Sequence, residues 1–169
     1  MTWESDPLEF GSLNQQSARI SENFVDKKKK SSVYHHQLVV EQDDIDELNH
    51  VNNLRYLKWC LKAAVAHSSH VGWTSKRYHE SGFGFIVREH KIKYRVPAIL
   101  NDEIEIKTWI ESMERVSSNR RYNIFRKSDG KKLAEAATTW VFVDLDTLEL
   151  TKIPSEIRQA FQLNSGLAT

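Results

Sequence analysis

The sequence predicts an α+β domain in which one antiparallel sheet wraps around a single long central helix. Three observations predict it: a strand-like segment at residues 33–40, a helical apolar period after it, and four β-patterned segments joined by short turns. The first segment, VYHHQLVV, is β-branched and aromatic, and it runs into EQDDIDELNHVNN, whose Asp and Asn content is that of a turn. Leu54, Leu57, Leu61, Ala64 and Val65 then recur at three- and four-residue steps. That period predicts a helix with these residues as its buried stripe and with Arg55, Lys58 and Lys62 off it. Asn52 or Asn53 is the natural cap, Gly72 the expected stop, and residues 74–82 a second short helix or loop.

Segments 84–96, 102–113, 118–127 and 131–144 alternate apolar or β-branched with polar residues, as in IEIKTWI and RYNIF. Pro97 with Asn101-Asp102, then 112–117, then Ser128-Asp129-Gly130 separate them by hairpin-length connections, so neighbouring strands are antiparallel. Pro154, with Ser155 and Glu156 behind it, opens a short final helix in which the proline precedes the cap. Only a sheet is large enough to bury the long helix, and Ala63, Ala64 and Ala66 let it approach closely.

A chain of 169 residues suits one domain with one core. The net charge of +1, with basic and acidic residues interspersed from Gln37 onward, lacks the basic stripe of a nucleic-acid binder, so no nucleic-acid partner is expected. Cys60 is the only cysteine, which excludes an intramolecular disulfide and favours a reducing compartment. The acidic start MTWESDPLEF and the lack of an apolar run of ~20 residues predict no membrane span and a cytoplasmic location. Residues 1–32 are polar and end in KKKKSS, the pattern of a flexible arm ahead of a domain at 33–169. No metal or cofactor is expected. The DxDxxN spacing from Asp44 has Asn49 where a calcium loop needs Gly and Arg55 where it needs Glu, and His67 with His70 lacks further zinc ligands.

The stretch DIDELNHVNNLRYLKW, residues 44–59, resembles the signature of the hotdog-fold thioesterases. It is most similar to the hydroxybenzoyl-CoA thioesterase-like and plant-type acyl-carrier-protein thioesterase branches, through Asp46, His50, Val51, Asn52, Asn53, Tyr56 and Trp59. The likeness extends through EHKIKYRVPAILNDEIEI at 89–106 and WVFVDLDTLELTKIP at 140–154, and spans about 34–154. Two departures matter. Leu48 stands where the plant-type enzymes carry an Asn, with Asn49 displaced by one, and the aryl-CoA branch has a small residue at Asn49 and no histidine.

The resemblance implies that Asp46 is the catalytic aspartate and that the backbone N–H near Asn53 polarises the thioester carbonyl. The chemistry is physically sound. A carbonyl undergoing acyl transfer needs a nucleophile or an activated water on one side and donors for the developing oxyanion on the other, and a helix N-terminus offers unpaired N–H groups and positive potential. The same potential favours an ionised Asp46, which then either attacks the carbonyl or deprotonates water. His50 and Asn52 position water or fix the turn, and Asp43, Asp44 and Asn49 read as turn formers.

The expected substrate is acyl-CoA, with acyl-carrier-protein thioesters second, the acyl tail in an apolar tunnel beside the helix and the CoA phosphates met at the rim by Arg115 and Arg120. The resemblance also implies a homodimer, or a homotetramer built from it, with sheets paired edge to edge. A hotdog dehydratase needs an acid on the central helix, and residues 54–65 contain none. A non-catalytic acyl-binding module stays open, because fold alone does not fix function.

Overall fold

The computed structural model describes residues 33–161. The predicted arm at 1–32 and its lysine run lie outside the described residues. Five strands, β1 (Tyr34–Val39), β2 (Phe83–Tyr94), β3 (Glu103–Met113), β4 (Ser117–Arg126) and β5 (Lys132–Asp144), form one sheet in the order β1-β3-β4-β5-β2, antiparallel throughout. Between β1 and β2 come the 18-residue helix α1 (Asn53–His70) and the short α2 (Ser75–Ser81), and α3 (Ser155–Ala160) follows β5. The strands predicted from alternation are all present, with ends displaced by one or two residues. Asn52 caps α1 by accepting from Leu54 N–H at 2.9 Å, and Gly72 terminates it at φ +89°, a conformation open to glycine. Pro154 occupies the cap position of α3 itself instead of preceding it.

Of the stripe expected on α1, Ala64 is buried and Leu57 and Leu61 are half-buried, but its two ends face solvent. Leu54 is 72% exposed and Val65 50%, whereas Tyr56, Trp59, Cys60, Ala63, Ala64 and His67 are buried. Both stripes have the helical period, so period alone does not choose between them. What decides is shape: two aromatic rings fill the space beside small residues at 60, 63 and 64, and these let the sheet close to contact. They pack against Ile104, Ile106, Tyr122, Ile124, Ala134 and Ala136 of β3, β4 and β5. A second apolar cluster gathers Trp73, Ile110, Met113, Phe142, Ile153, Ile157 and Phe161 toward the C-terminal end of α1. Burial pushes the Cys60 thiol up to about 12, so it packs as an inert apolar group.

Partial burial pushes the imidazoles of His36 and His90 below their ordinary value of 6.5, with Lys62 adding to the effect on His36. His90 Nδ1 also lies 2.8 Å from Thr138 Oγ1. The unfolded chain therefore takes up protons first as the pH falls. Stability from these groups is complete above about pH 6.5 and is lost on acidification below it. The urea midpoint is expected to drop between pH 7.5 and 5.5, and less in a His36→Asn/His90→Asn protein; equal drops in the two proteins contradict this assignment.

Candidate active site in the bend before the central helix

The residues between β1 and α1 close on themselves. Ile45 bridges Val51, Asp46 N–H donates to His50 O at 2.8 Å, and Asn49 N–H donates to Asp46 O at 3.0 Å. Asp46 Oδ1 accepts from Leu48 N–H at 2.9 Å and, more weakly, from His50 N–H at 3.4 Å. One carboxylate oxygen thus holds the turn, and Oδ2 makes no hydrogen bond among the described residues. Asn49 adopts φ +61°, a left-handed conformation that a short amide side chain tolerates.

The bend is tied down on both sides. Val51 N–H donates to Ala98 O and Asn52 N–H to Asp44 O, each at 2.9 Å. Arg55 pairs with Asp44 at 3.4 Å and donates to Asp43 O, while Tyr94 Oη, from β2, donates to Asn53 O at 3.0 Å. Beneath it, Tyr56 Oη accepts from Ala98 N–H at 2.9 Å, and both residues are buried. Tyr56→Phe leaves that amide unpaired in the core and is expected to cost about 1–3 kcal/mol in urea unfolding. An unchanged midpoint contradicts it.

At the start of α1, Leu54 N–H is taken by Asn52 Oδ1 and Arg55 N–H by Asn52 O, whereas Asn53 N–H has no partner among the described residues. The bend therefore juxtaposes a carboxylate with one free oxygen and a helix start with one open donor. Asp46, His50, Asn52 and Asn53 fall within it. His50 acts through its backbone and its ring is exposed, and the side chain of Asn52 is occupied as the cap.

The two arginines do not fall there. Arg115 is exposed in the β3–β4 turn, at the opposite end of β3 from the Ala98 and Asp102 segment that holds the bend. Arg120 is 4% exposed and lies inside the domain, not at a rim. Alternation along β4 carries the reason, because Arg120 shares a face with Ser118, Tyr122 and Ile124, all of which turn inward. The apolar cavity beside α1 likewise lies toward its C-terminal half, bounded by Ala64, Val65 and Ser68, away from Asp46.

No group of three or more His, Cys, Asp or Glu side chains suited to a metal ion occurs among the described residues, and no described helix is long and apolar enough to cross a membrane. A family model described as the thioesterase-like superfamily matches residues 40–161. The long-chain acyl-CoA thioesterase FadM of Escherichia coli is 27% identical over 129 residues, which is 75% of this chain and 95% of that protein. Oleoyl-acyl carrier protein thioesterase 2 of Arabidopsis thaliana is 22% identical over 164 residues; that is 95% of this chain, but the chain spans only 41% of the plant protein. The solved structure of Slr0204, a 1,4-dihydroxy-2-naphthoyl-CoA thioesterase from Synechocystis, superposes with a TM-score of 0.72 at 19% identity, over 76% of this chain and 95% of that one. The hotdog fold expected from the motif is the fold found.

Proposed function

We propose, because this chain belongs to the thioesterase-like superfamily, that it hydrolyses an acyl-CoA thioester to the free acid and CoA. The observation that supports this reading is that one bend holds both the Asp46 carboxylate, with Oδ2 unbonded among the described residues, and the Asn53 amide, likewise unbonded there. The carbonyl oxygen sits on Asn53 N–H, where negative charge developing on it meets the positive end of α1. Asp46 acts from the other side by one of two routes. As nucleophile it forms an acyl anhydride, expels CoA thiolate and is regenerated when water cleaves the anhydride; as base it takes a proton from water, which adds to the carbonyl directly, and collapse of the adduct breaks the C–S bond and expels CoA thiolate, which takes the proton back from Asp46. His50 and Asn52 support this by holding the bend and the helix start in register.

Acyl-CoA is preferred because the likeness to an acyl-CoA thioesterase spans nearly the whole of that relative. Acyl-carrier-protein thioesters are the second reading, supported by the long alignment with the plant enzyme. The working unit is a homodimer or a homotetramer. Among the described residues β2 hydrogen-bonds to a strand on one side only and leaves Ile86 and Val87 more than a third exposed, an edge suited to a second copy. A single buried cysteine suits a cytoplasmic setting.

A hydrolysis screen over acyl-CoAs of graded chain length, with one acyl-carrier-protein substrate alongside and free thiol detected colorimetrically, tests the proposal. The expected result is turnover of acyl-CoA with a kcat/KM above that for the carrier-protein substrate. Release of no thiol from any substrate contradicts it, and a higher kcat/KM for the carrier protein selects the second reading.

A further inference from the structure

An apolar cavity of about 330 Å³ lies between the C-terminal half of α1, α2 and the inner face of the sheet. Trp73, Phe85, Ile110, Met113 and Phe161 form much of its wall, and Arg120 stands among them, 4% exposed. The Arg120 guanidinium uses Nη1 for two neutral partners, His67 Nδ1 at 2.9 Å and Thr108 Oγ1 at 3.2 Å, and lies 5.7 Å from the centre of the Phe161 ring. Arginine only donates, so His67 accepts at Nδ1 and is the neutral tautomer protonated on Nε2. No carboxylate pairs with Arg120 among the described residues, and its Nε and Nη2 make no hydrogen bond there. The indole N–H of Trp140, on the same wall, and Tyr122 Oη beside Arg120 are both buried and are neighbours of each other, so neither by itself calls for an added anion.

A buried cation with neutral partners is disfavoured, and an apolar wall does nothing to offset its lost hydration. Among the described residues no counter-anion stands against Arg120, and the wall around it is mostly apolar. We propose that this cavity is a ligand site for a carboxylate carried on an apolar body, with the carboxylate on Arg120 and the body against the aromatic and aliphatic wall. A carboxylate is the matching group because its two oxygens meet the guanidinium fork in a bidentate pair. The site is separate from the Asp46 bend of its own protomer. His67 lies roughly 21 Å along α1 from Asn53 at 1.5 Å per residue, and buried Tyr56, Trp59, Cys60 and Ala63 fill the interior between. The proposal therefore stands whether or not Asp46 is the catalytic residue.

The test is calorimetric titration of the full chain with octanoate and with octanol, equal in chain length and different in charge. Wild type is expected to bind octanoate at least about tenfold more tightly, the scale of a hydrogen bond to a charged group. Arg120→Met is expected to keep its octanol affinity, which reports an intact cavity, and to lose the preference for the acid; Arg120→Lys is expected to keep part of it. Equal affinities in wild type, or an undiminished preference in Arg120→Met, overturn the proposal. A competition arm separates the two sources of such a carboxylate. Displacement of octanoate by octanedioyl-CoA but not by octanoyl-CoA assigns the far end of an acyl chain, and displacement by neither assigns a free acid; both outcomes support the site.

Discussion

Asp46→Asn is expected to lower kcat for acyl-CoA hydrolysis by about 10²–10⁴-fold, the contribution typical of a positioned acid or base. The substitution isolates chemistry from structure. Asparagine retains an Oδ1 acceptor for Leu48 N–H, so the turn closed by that 2.9 Å bond persists and stability is expected to stay within about 0.5 kcal/mol. What is lost is the anionic Oδ2, the oxygen with no partner among the described residues. Steady-state kinetics with thermal unfolding on the same preparation checks both halves. Equal rates in the two proteins remove Asp46 from the reaction, and a large fall in melting temperature reassigns it to the turn.

The second large effect is on stability. Trp59 is 3% exposed and sits with Tyr56, ring centroids 5.0 Å apart, where α1 meets the sheet. Its neighbours along the helix, Cys60 and Ala63, are too small to collapse into the space left behind. Trp59→Ala is accordingly expected to cost about 3–5 kcal/mol, a large part of the 5–15 kcal/mol that a domain usually has. Urea denaturation followed by circular dichroism measures it; a cost below 1 kcal/mol contradicts the assignment of Trp59 to the packed face.

Some of this was legible in the sequence and some was not. Strand alternation is a property of the backbone, so IEIKTWI and RYNIF announced β3 and β4 without help from the rest of the chain. The buried side of α1 depends on its partner, and the leucines at 54, 57 and 61 satisfied the helical period as well as Tyr56, Cys60 and Ala63 do. Small residues at 60, 63 and 64 were the available signal for the true face. The bend at Asp46 was readable because its Asp and Asn residues and the cap at Asn52 act over a few residues. Arg120 is buried because position outweighs charge along β4. The two-residue period of β4 places it inward with Tyr122 and Ile124, a signal present in the sequence all along. Its pairing with His67 joins residues 53 apart in the chain and has no local signature.

In the proposed reaction a thioester carbonyl rests on the open amide at the start of α1, in the same bend as Asp46. The most direct test of that placement is the backbone amide spectrum of the Asp46→Asn protein titrated with an acyl-CoA that binds without turning over. Saturable binding with the Asn53 amide proton moving downfield, and with Leu54, already bonded to Asn52, moving little, is the predicted result. Saturable binding that leaves Asn53 unmoved while amides elsewhere shift contradicts it.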